Sequence, residues 1–377
     1  MKRNVILVII GFVCLLGVSM LNISTSYSKL ETIGNPQHTN VSFVILTDLR
    51  SPRKYVPSNP AYQSTMLPII RARTIGSSAW DYSGCHFRRE LDPNAWVVNN
   101  SASINITLVV ACDVNRLFLL PVTATRWNGP IVFSIHVVED ELSTFEDFLY
   151  SSDNSILCSD RIFIAVYLSS TNSFFSSNYP INILRNIGIR NVETSHYLLL
   201  DADMMLCEKS YEELLALPES LYRENRTAII VPAIFSRTVN VTGNTLESQL
   251  QSSLQNAPKT LEELRLCLLS RRCGNRKANL FTHYYVLDSW VSQIILRKAN
   301  SYQSYSCWPN RYQEPYLVVP RSEEYLFNEE LINYGQNKIT YVETLRLNGF
   351  KFVIASRMFA YDLPHSPFIF VSAETFK

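Results

Sequence analysis

Two aspartates separated by one residue, Asp201 and Asp203, are the side chains whose type and spacing most directly indicate chemistry. They follow residues 197–200, an apolar run without a helix breaker, which predicts a short buried strand. Carboxylates at such a strand end need a divalent cation, a basic side chain or helix amides as partners, because burying an unpaired charge costs free energy. Hard oxygen ligands suit Mn²⁺ or Mg²⁺ shared with substrate phosphates. The simpler alternative is a pair that caps the following turn.

The elements around this pair alternate between apolar strands and short helices. We predict strands at residues 106–112, 131–138, 162–168 and 229–231, helices that begin near residues 180, 210 and 260, and a polar surface loop at residues 240–258. This alternation is typical of βαβ units and a largely parallel central sheet, so the predicted fold class is α/β. Ligands of such sheets bind beyond the carboxyl ends of the strands, where Asp201 and Asp203 fall.

The helix predicted at Ile181–Arg190 precedes the strand that carries the aspartates. Its apolar residues share one face, and Asn182 and Arg185 lie on the other. We expect these two side chains to reach the same crevice as the aspartates. A solvated helix face is the alternative interpretation.

Length and composition limit the class of protein. The 377 residues suffice for one large domain or two ordinary ones, and 47% hydrophobic residues can form a sizeable core. A net charge of +1 shows no excess of basic residues of the kind that binds nucleic acid, so we predict no nucleic-acid partner.

The N-terminus carries a membrane signal. Lys2 and Arg3 precede residues 5–21, an uncharged apolar stretch that we interpret as a retained signal anchor with its N-terminus in the cytosol. A cleaved signal peptide is the alternative, with a weak cleavage site at residues 17–19. The predicted organisation is a cytosolic tail at residues 1–4, a transmembrane anchor at 5–21, a stem and lead-in at 22–104, and a catalytic domain at 105–377.

Glycosylation sequons and cysteines agree with a lumenal location. Six asparagines open N-x-S/T sequons: Asn22, Asn40, Asn99, Asn105, Asn225 and Asn240. Cysteines that follow the anchor meet an oxidising compartment, so we expect some to pair and at least one to remain free.

Several motifs occur in a characteristic order along the chain. They are ITLVVACDVNRL, RWNGPI, NYPINILRNIG, LLLDADMM, APKTLEEL, YQEPY, FNEELINYGQNK and AYDLPHSP. Together they resemble the LARGE-type glycosyltransferases, glycosyltransferase family 49, which include β-1,4-glucuronyltransferases. The resemblance covers residues 104–368.

This resemblance implies a GT-A type fold, a UDP-sugar donor, a glycan or glycoprotein acceptor, Mn²⁺ (or Mg²⁺) and inversion at the anomeric carbon. It also implies a single-pass type II protein of the Golgi membrane with a lumenal catalytic domain. The transferred sugar would be glucuronic acid, xylose or a similar one, and homo- or hetero-oligomers stay open. Asp201 and Asp203 would bind the metal and the diphosphate, and Asn182 and Arg185 would contact the donor.

Further residues receive roles in this interpretation. A carboxylate must accept the proton of the acceptor hydroxyl, and we rank Glu329 first and Glu314 second as that base. Asp362 and His365 are expected to supply further metal ligands.

The chain departs from the family pattern at Asn328, at Asp362 and at residues 284–286. These departures motivate an alternative function, a catalytically inactive lumenal sugar-binding or chaperone-like protein. A metal-dependent hydrolase fits the aspartate pair but not the other motifs.

Overall fold

The computed structural model describes residues 43–47 and 103–365, except 225, 238–242, 278–280, 306–307, 309–311, 323 and 334–335. The predicted cytosolic tail, the anchor at residues 5–21 and nearly all of the predicted stem lie outside the described residues. Within the described ranges, no helix is both long and apolar enough to cross a bilayer.

The described residues form an α/β structure. Its strands are β1 (Phe43–Thr47), β2 (Ile106–Asp113), β3 (Ile131–Val138), β4 (Ile162–Ser169), β5 (His196–Asp201), β6 (Met204–Leu206), β7 (Thr227–Val231), β8 (Ala233–Ser236), β9 (Cys273–Gly274), β10 (Tyr302–Tyr305), β11 (Tyr316–Pro320), β12 (Lys351–Ala355) and β13 (Ala360–Asp362). Its α-helices are α1 (Leu120–Arg126), α2 (Leu142–Tyr150), α3 (Ile181–Arg190), α4 (Ser210–Leu215), α5 (Glu219–Arg223), α6 (Leu246–Asn256), α7 (Leu261–Leu269), α8 (Asp288–Ile295) and α9 (Asn337–Leu347).

A nine-stranded sheet forms the centre, in the order β1-β4-β3-β2-β5-β11-β7-β12-β10. The run from β1 to β5 is parallel throughout, and β7 and β12 are also parallel. Strand β11 runs antiparallel between β5 and β7, and β10 is an antiparallel edge. The prediction of a largely parallel central sheet is therefore confirmed.

A second, four-stranded sheet has the order β6-β13-β8-β9. Strand β6 begins directly after Asp203 and pairs antiparallel with β13, so that Asp362 lies opposite Met204. The backbone N–H of Leu363 donates a hydrogen bond to the carbonyl of Asp203 (3.0 Å). This pairing brings the C-terminal motif of the sequence to the aspartate pair.

The structure corrects one predicted element and adds a strand to the range predicted as stem. The predicted polar loop at residues 240–258 contains the helix α6, whose N-cap Thr245 accepts a hydrogen bond from the backbone N–H of Ser248. Strand β1 lies in the range that the sequence assigned to the stem and lead-in, and it pairs parallel with β4. The leucines of α6, Leu246, Leu250 and Leu254, are spaced as on one helix face, but the polar residues between them concealed the helix.

The structure agrees in part with the prediction that some cysteines pair and at least one remains free. Cys267 and Cys273 form a disulfide, which ties the end of α7 to β9. Cys112 and Cys207 are buried free thiols. Burial raises the pKa of the Cys207 thiol, so this side chain is suited to packing rather than to reaction.

Helix α3 packs closely on the sheet through Gly188. A Cβ atom at this position would collide with the side chain of Val109 and would lie 2.8 Å from the Oγ of Ser134. The glycine is therefore required by the distance between the helix and strands β2 and β3, which fixes the helix that carries Arg185.

We expect Gly188→Ala to lower the free energy of unfolding by about 1–3 kcal/mol, because the overpacking outweighs the gain in helix propensity. Urea unfolding followed by circular dichroism measures this change. The double variant Gly188→Ala/Ser134→Ala should recover part of the loss, since it removes one of the colliding atoms. An unchanged or raised stability in Gly188→Ala would show that the helix can move away from the sheet without cost.

Candidate functional site

A cleft of about 420 Å³ opens beyond the carboxyl end of β5. Most of the residues predicted from the sequence line this cleft: Arg185, Asp201, Asp203, Glu314, Asp362 and His365. Two predicted residues, Asn182 and Glu329, are not among its lining residues. The cleft therefore brings these six residues together from four separate parts of the chain.

Asp201 is held by cationic side chains. Its Oδ2 accepts hydrogen bonds from Nζ of Lys338 (2.6 Å) and from the hydroxyl of Tyr316 (2.8 Å), and its Oδ1 accepts one from Nη2 of Arg185 (3.1 Å). Burial opposes ionisation of Asp201, but Lys338 and Arg185 outweigh burial and hold the pKa of this carboxyl well below its usual range. Asp201 is thus a fixed anion that holds two cations at the cleft floor.

Asn182 acts on the cleft through Arg185. Its side chain is fully buried, its Oδ1 accepts from Nη1 of Arg185 (3.2 Å), and its Nδ2 donates to the carbonyl of Asn328 (2.7 Å). The guanidinium of Arg185 also lies over the ring of Phe327 at 5.1 Å. The polar face of α3 is therefore not solvated but covered by residues 327–329. Arg185 reaches the crevice as expected, whereas Asn182 does not.

Asp203 faces a different set of partners. Its Oδ2 accepts a hydrogen bond from Nε2 of His365 (3.2 Å) and lies 3.8 Å from Nε of Arg116. Burial raises the pKa of Asp203, but the contacts with His365 and Arg116 outweigh it and lower that pKa overall. Asp201 and Asp203 thus each have their own cationic neighbours, although they are separated by a single residue.

Asp362 forms an ion pair with Lys277, with 2.8 Å between Oδ2 and Nζ. Burial raises the pKa of Asp362, and the charge of Asp203 raises it further, although Lys277 partly offsets both. Repulsion between two buried carboxylates is the condition that a bound cation relieves.

The donor atoms fit a divalent metal. Asp203, Asp362 and His365 offer carboxylate oxygens and an imidazole nitrogen, which suit Mn²⁺. Among the described residues, no group of three or more His, Cys, Asp or Glu side chains is already arranged around one metal position. Asp203, His365 and Asp362 are the side chains that would hold such an ion, and Asp362 is paired with Lys277. Asp201 is committed to Lys338 and Arg185.

The two candidate bases lie in different environments. Glu314 lines the cleft, and among the described residues no ion pair engages its carboxylate. Glu329 accepts hydrogen bonds on Oε1 from Nδ2 of Asn186 (2.8 Å) and from Nη1 of Arg190 (3.3 Å). These contacts direct Glu329 toward α3 and not toward the cleft.

Sequence reasoning missed four residues of the site: Arg116, Lys277, Tyr316 and Lys338. The need for a basic partner at the strand end pointed to such residues in general, but not to their positions. Lys277 ends the basic run at residues 271–277. Its preceding residues are anchored, because Cys273 is disulfide-bonded and Asn275 is buried.

Comparison with known sequences identifies a protein family. Residues 157–361 match the profile of glycosyltransferase family 49, described as glycosyl-transferase for dystroglycan. The matched segment covers more than half of the chain. The chain belongs to this family. Family membership confirms the resemblance that the ordered motifs indicated.

Similar proteins are named xylosyl- and glucuronyltransferases. Xylosyl- and glucuronyltransferase LARGE2 of Mus musculus is 26% identical over 270 residues, which cover 71% of this chain and 35% of the mouse protein. Xylosyl- and glucuronyltransferase LARGE1 of Homo sapiens is 26% identical over 277 residues, which cover 70% of this chain and 32% of the human protein. The chain thus spans about a third of the length of these relatives.

Similarity to solved structures is weaker. A crystal structure of GalNAc-T7 with UDP, GalNAc and Mn²⁺ aligns at 10% identity with a TM-score of 0.40, over 70% of this chain and 45% of that chain. S. aureus TarS 1-349 in complex with UDP-GlcNAc aligns at 12% identity with a TM-score of 0.40, over 72% of this chain and 61% of that chain. Similarities of this size support no argument on function.

Proposed function

We propose that this chain is a glycosyltransferase of the GT-A type that moves a sugar from a UDP-sugar to a glycan acceptor with inversion and with Mn²⁺ as cofactor. We also propose that it is a type II protein of the Golgi membrane, anchored through residues 5–21. The observation that carries the proposal is the cleft of this family member, in which Asp201 holds Arg185 and Lys338 beside Asp203 and His365.

The cations of the cleft suit a diphosphate leaving group. Arg116, Arg185, Lys277 and Lys338 all line it, and each is fixed by a carboxylate. Preorganised cations stabilise negative charge that develops on a departing group, because they need no reorganisation during the reaction. The surrounding carboxylates thus serve to position the cations before the donor binds.

A divalent cation held by Asp203, His365 and Asp362 would neutralise part of the charge on the diphosphate. The side chains of this protein must orient the phosphates and neutralise the rest of their charge. Arg185 and Lys338 orient the phosphates from the Asp201 side, while Arg116 approaches from the Asp203 side. The acceptor hydroxyl must then lie in line with the bond that breaks between the sugar and the phosphate oxygen.

We propose Glu314 as the base that accepts the proton of the acceptor hydroxyl. It lines the cleft, and its backbone N–H is fixed by the carbonyl of Thr282 at 2.8 Å. This assignment reverses the ranking expected from the sequence. Glu329 is held by Asn186 and Arg190 outside the cleft lining, so we give it a structural role on the segment that covers α3.

A direct test is the release of UDP from a panel of UDP-sugars by the purified protein. UDP-glucuronic acid and UDP-xylose are the first donors to try. We expect release from at least one donor, and we expect EDTA to suppress it and added Mn²⁺ to restore it. If no donor releases UDP with any acceptor glycan, the chain is not a transferase, and the non-catalytic sugar-binding alternative takes its place.

A further inference from the structure

Asn333 stands out in the cleft wall because all four of its polar groups are engaged. Its backbone N–H donates to the carbonyl of Tyr179 (2.8 Å), and its Oδ1 accepts from the N–H of the same residue. Its Nδ2 donates to Oδ1 of Asn178 (2.9 Å), and its carbonyl accepts from Nδ2 of Asn337 (2.7 Å). One residue thus joins two segments that lie far apart in the sequence.

The backbone of Asn333 shows why asparagine occupies this position. Its φ is 56°, in the left-handed region that most side chains avoid and that asparagine tolerates. In this conformation, the main chain and the side chain of Asn333 both meet the backbone of Tyr179. A larger or β-branched residue would be strained here and would also lose the side-chain contacts.

The two segments joined by Asn333 carry the cations that hold Asp201. Tyr179 leads into α3, which carries Arg185, and Asn337 is the first residue of α9, which carries Lys338. The N-cap of α9, Gln336, makes no side-chain capping bond, and the bond from Asn337 to Asn333 ties the first turn of α9 to the segment before it.

We infer that Asn333 is a positioning residue that fixes Lys338 and Arg185 together against Asp201, and so sets the affinity of the cleft for a nucleoside diphosphate. A lysine side chain loses considerable rotational freedom when it is held in one geometry. A fixed first turn of α9 reduces the number of conformations that are open to the Lys338 side chain. The ligand named here rests on the proposed function, whereas the effect on Lys338 rests on geometry alone.

The first experiment measures Lys338 without any ligand. The purified protein is acetylated with an N-hydroxysuccinimide ester, and the rate at each lysine is followed by mass spectrometry. The Lys338 side chain is 12% exposed and should react slowly, while the 75% exposed Lys351 serves as an internal reference. Asn333→Gly keeps the left-handed backbone and the carbonyl that accepts from Asn337, but removes the side-chain bonds that fix this residue to Tyr179 and Asn178. The start of α9 then loses part of its attachment to the segment before α3, so we expect Lys338 to react severalfold faster while Lys351 is unchanged.

Two further variants calibrate this result. Asn333→Asp keeps the acceptor for the N–H of Tyr179 and loses the donor to Asn178, so it should give an intermediate rate at Lys338. Asn348→Ala removes one asparagine hydrogen bond at the other end of the same helix and should leave the rate at Lys338 unchanged. A parental rate at Lys338 in Asn333→Gly overturns the inference.

The second experiment is a double-mutant cycle on UDP affinity in the presence of Mn²⁺. We expect Asn333→Gly to weaken UDP binding by about tenfold, and we expect most of this loss to disappear in a Lys338→Met background, with the remainder acting through Arg185. Losses that multiply in the double variant would show that Asn333 does not act through Lys338, and would overturn the inference. If the parent binds no UDP, the proposed function fails, and the acetylation rates still decide the role of Asn333.

Discussion

We expect Asp203→Ala to weaken Mn²⁺-dependent binding of UDP by roughly a hundredfold or more while the domain stays folded. The variant removes the carboxylate that touches His365 and that would hold the metal with it. It also removes a negative charge that raises the pKa of Asp362. The metal-free protein therefore loses the repulsion between Asp203 and Asp362 along with the attraction of Asp203 to His365 and Arg116. The loss of unfolding free energy should therefore be smaller than the roughly 3–5 kcal/mol usual when one partner of a buried ion pair is removed.

Titration of UDP with and without Mn²⁺, on the parent and on Asp203→Ala, measures this effect. Glu219→Ala is a matched control, because it removes a surface carboxylate whose ion pair with Arg223 lies on α5. We expect the control to keep the parental affinity. Equal UDP affinity in the parent and in Asp203→Ala, at every Mn²⁺ concentration, would contradict the metal assignment.

The second large effect concerns the base. We expect Glu314→Gln to lower turnover by about 10²- to 10⁴-fold, the range usual for removal of a general base. Donor affinity should change little, because Glu314 makes none of the contacts that hold Asp201. The measurement is turnover with saturating donor and acceptor, together with UDP affinity as a check on the intact cleft.

Glu329→Gln is the decisive comparison for Glu314→Gln. It keeps an acceptor for Asn186 but loses the ion pair with Arg190, which lies outside the cleft lining. We therefore expect the smaller loss of turnover in Glu329→Gln. The opposite order of the two losses would restore Glu329 as the base, as the sequence alone suggested.

The sequence predicted those parts of the structure that depend on local patterns. Strands β2, β3 and β4 are continuous apolar runs, and α3 begins and ends at the predicted residues. These patterns reflect burial on both faces of a parallel sheet, which leaves little ambiguity. Helix α6 was missed because polar residues fill every position between the leucines of its apolar stripe, Leu246, Leu250 and Leu254.

The sequence predicted those residues of the site that lie in a recognisable local motif. Asp201, Asp203 and Arg185 lie in or near one strand and the preceding helix, so local reasoning placed them correctly in the cleft. Lys338 reaches Asp201 across 137 positions of sequence, and no local pattern reveals such a contact. The same limit explains the ranking of Glu329, whose partners Asn186 and Arg190 also lie on a distant helix.

The turn between Asp201 and Asp203 is also the junction of the two sheets, since β5 belongs to the nine-stranded sheet and β6 to the four-stranded one. The partner of β6 is β13, which is made more than 150 residues later and ends beside His365. During synthesis, the nascent chain therefore has both aspartates long before it has the strand that completes their surroundings. Asp203 therefore cannot meet Asp362 and His365 until β13, the last strand of the described residues, has left the ribosome.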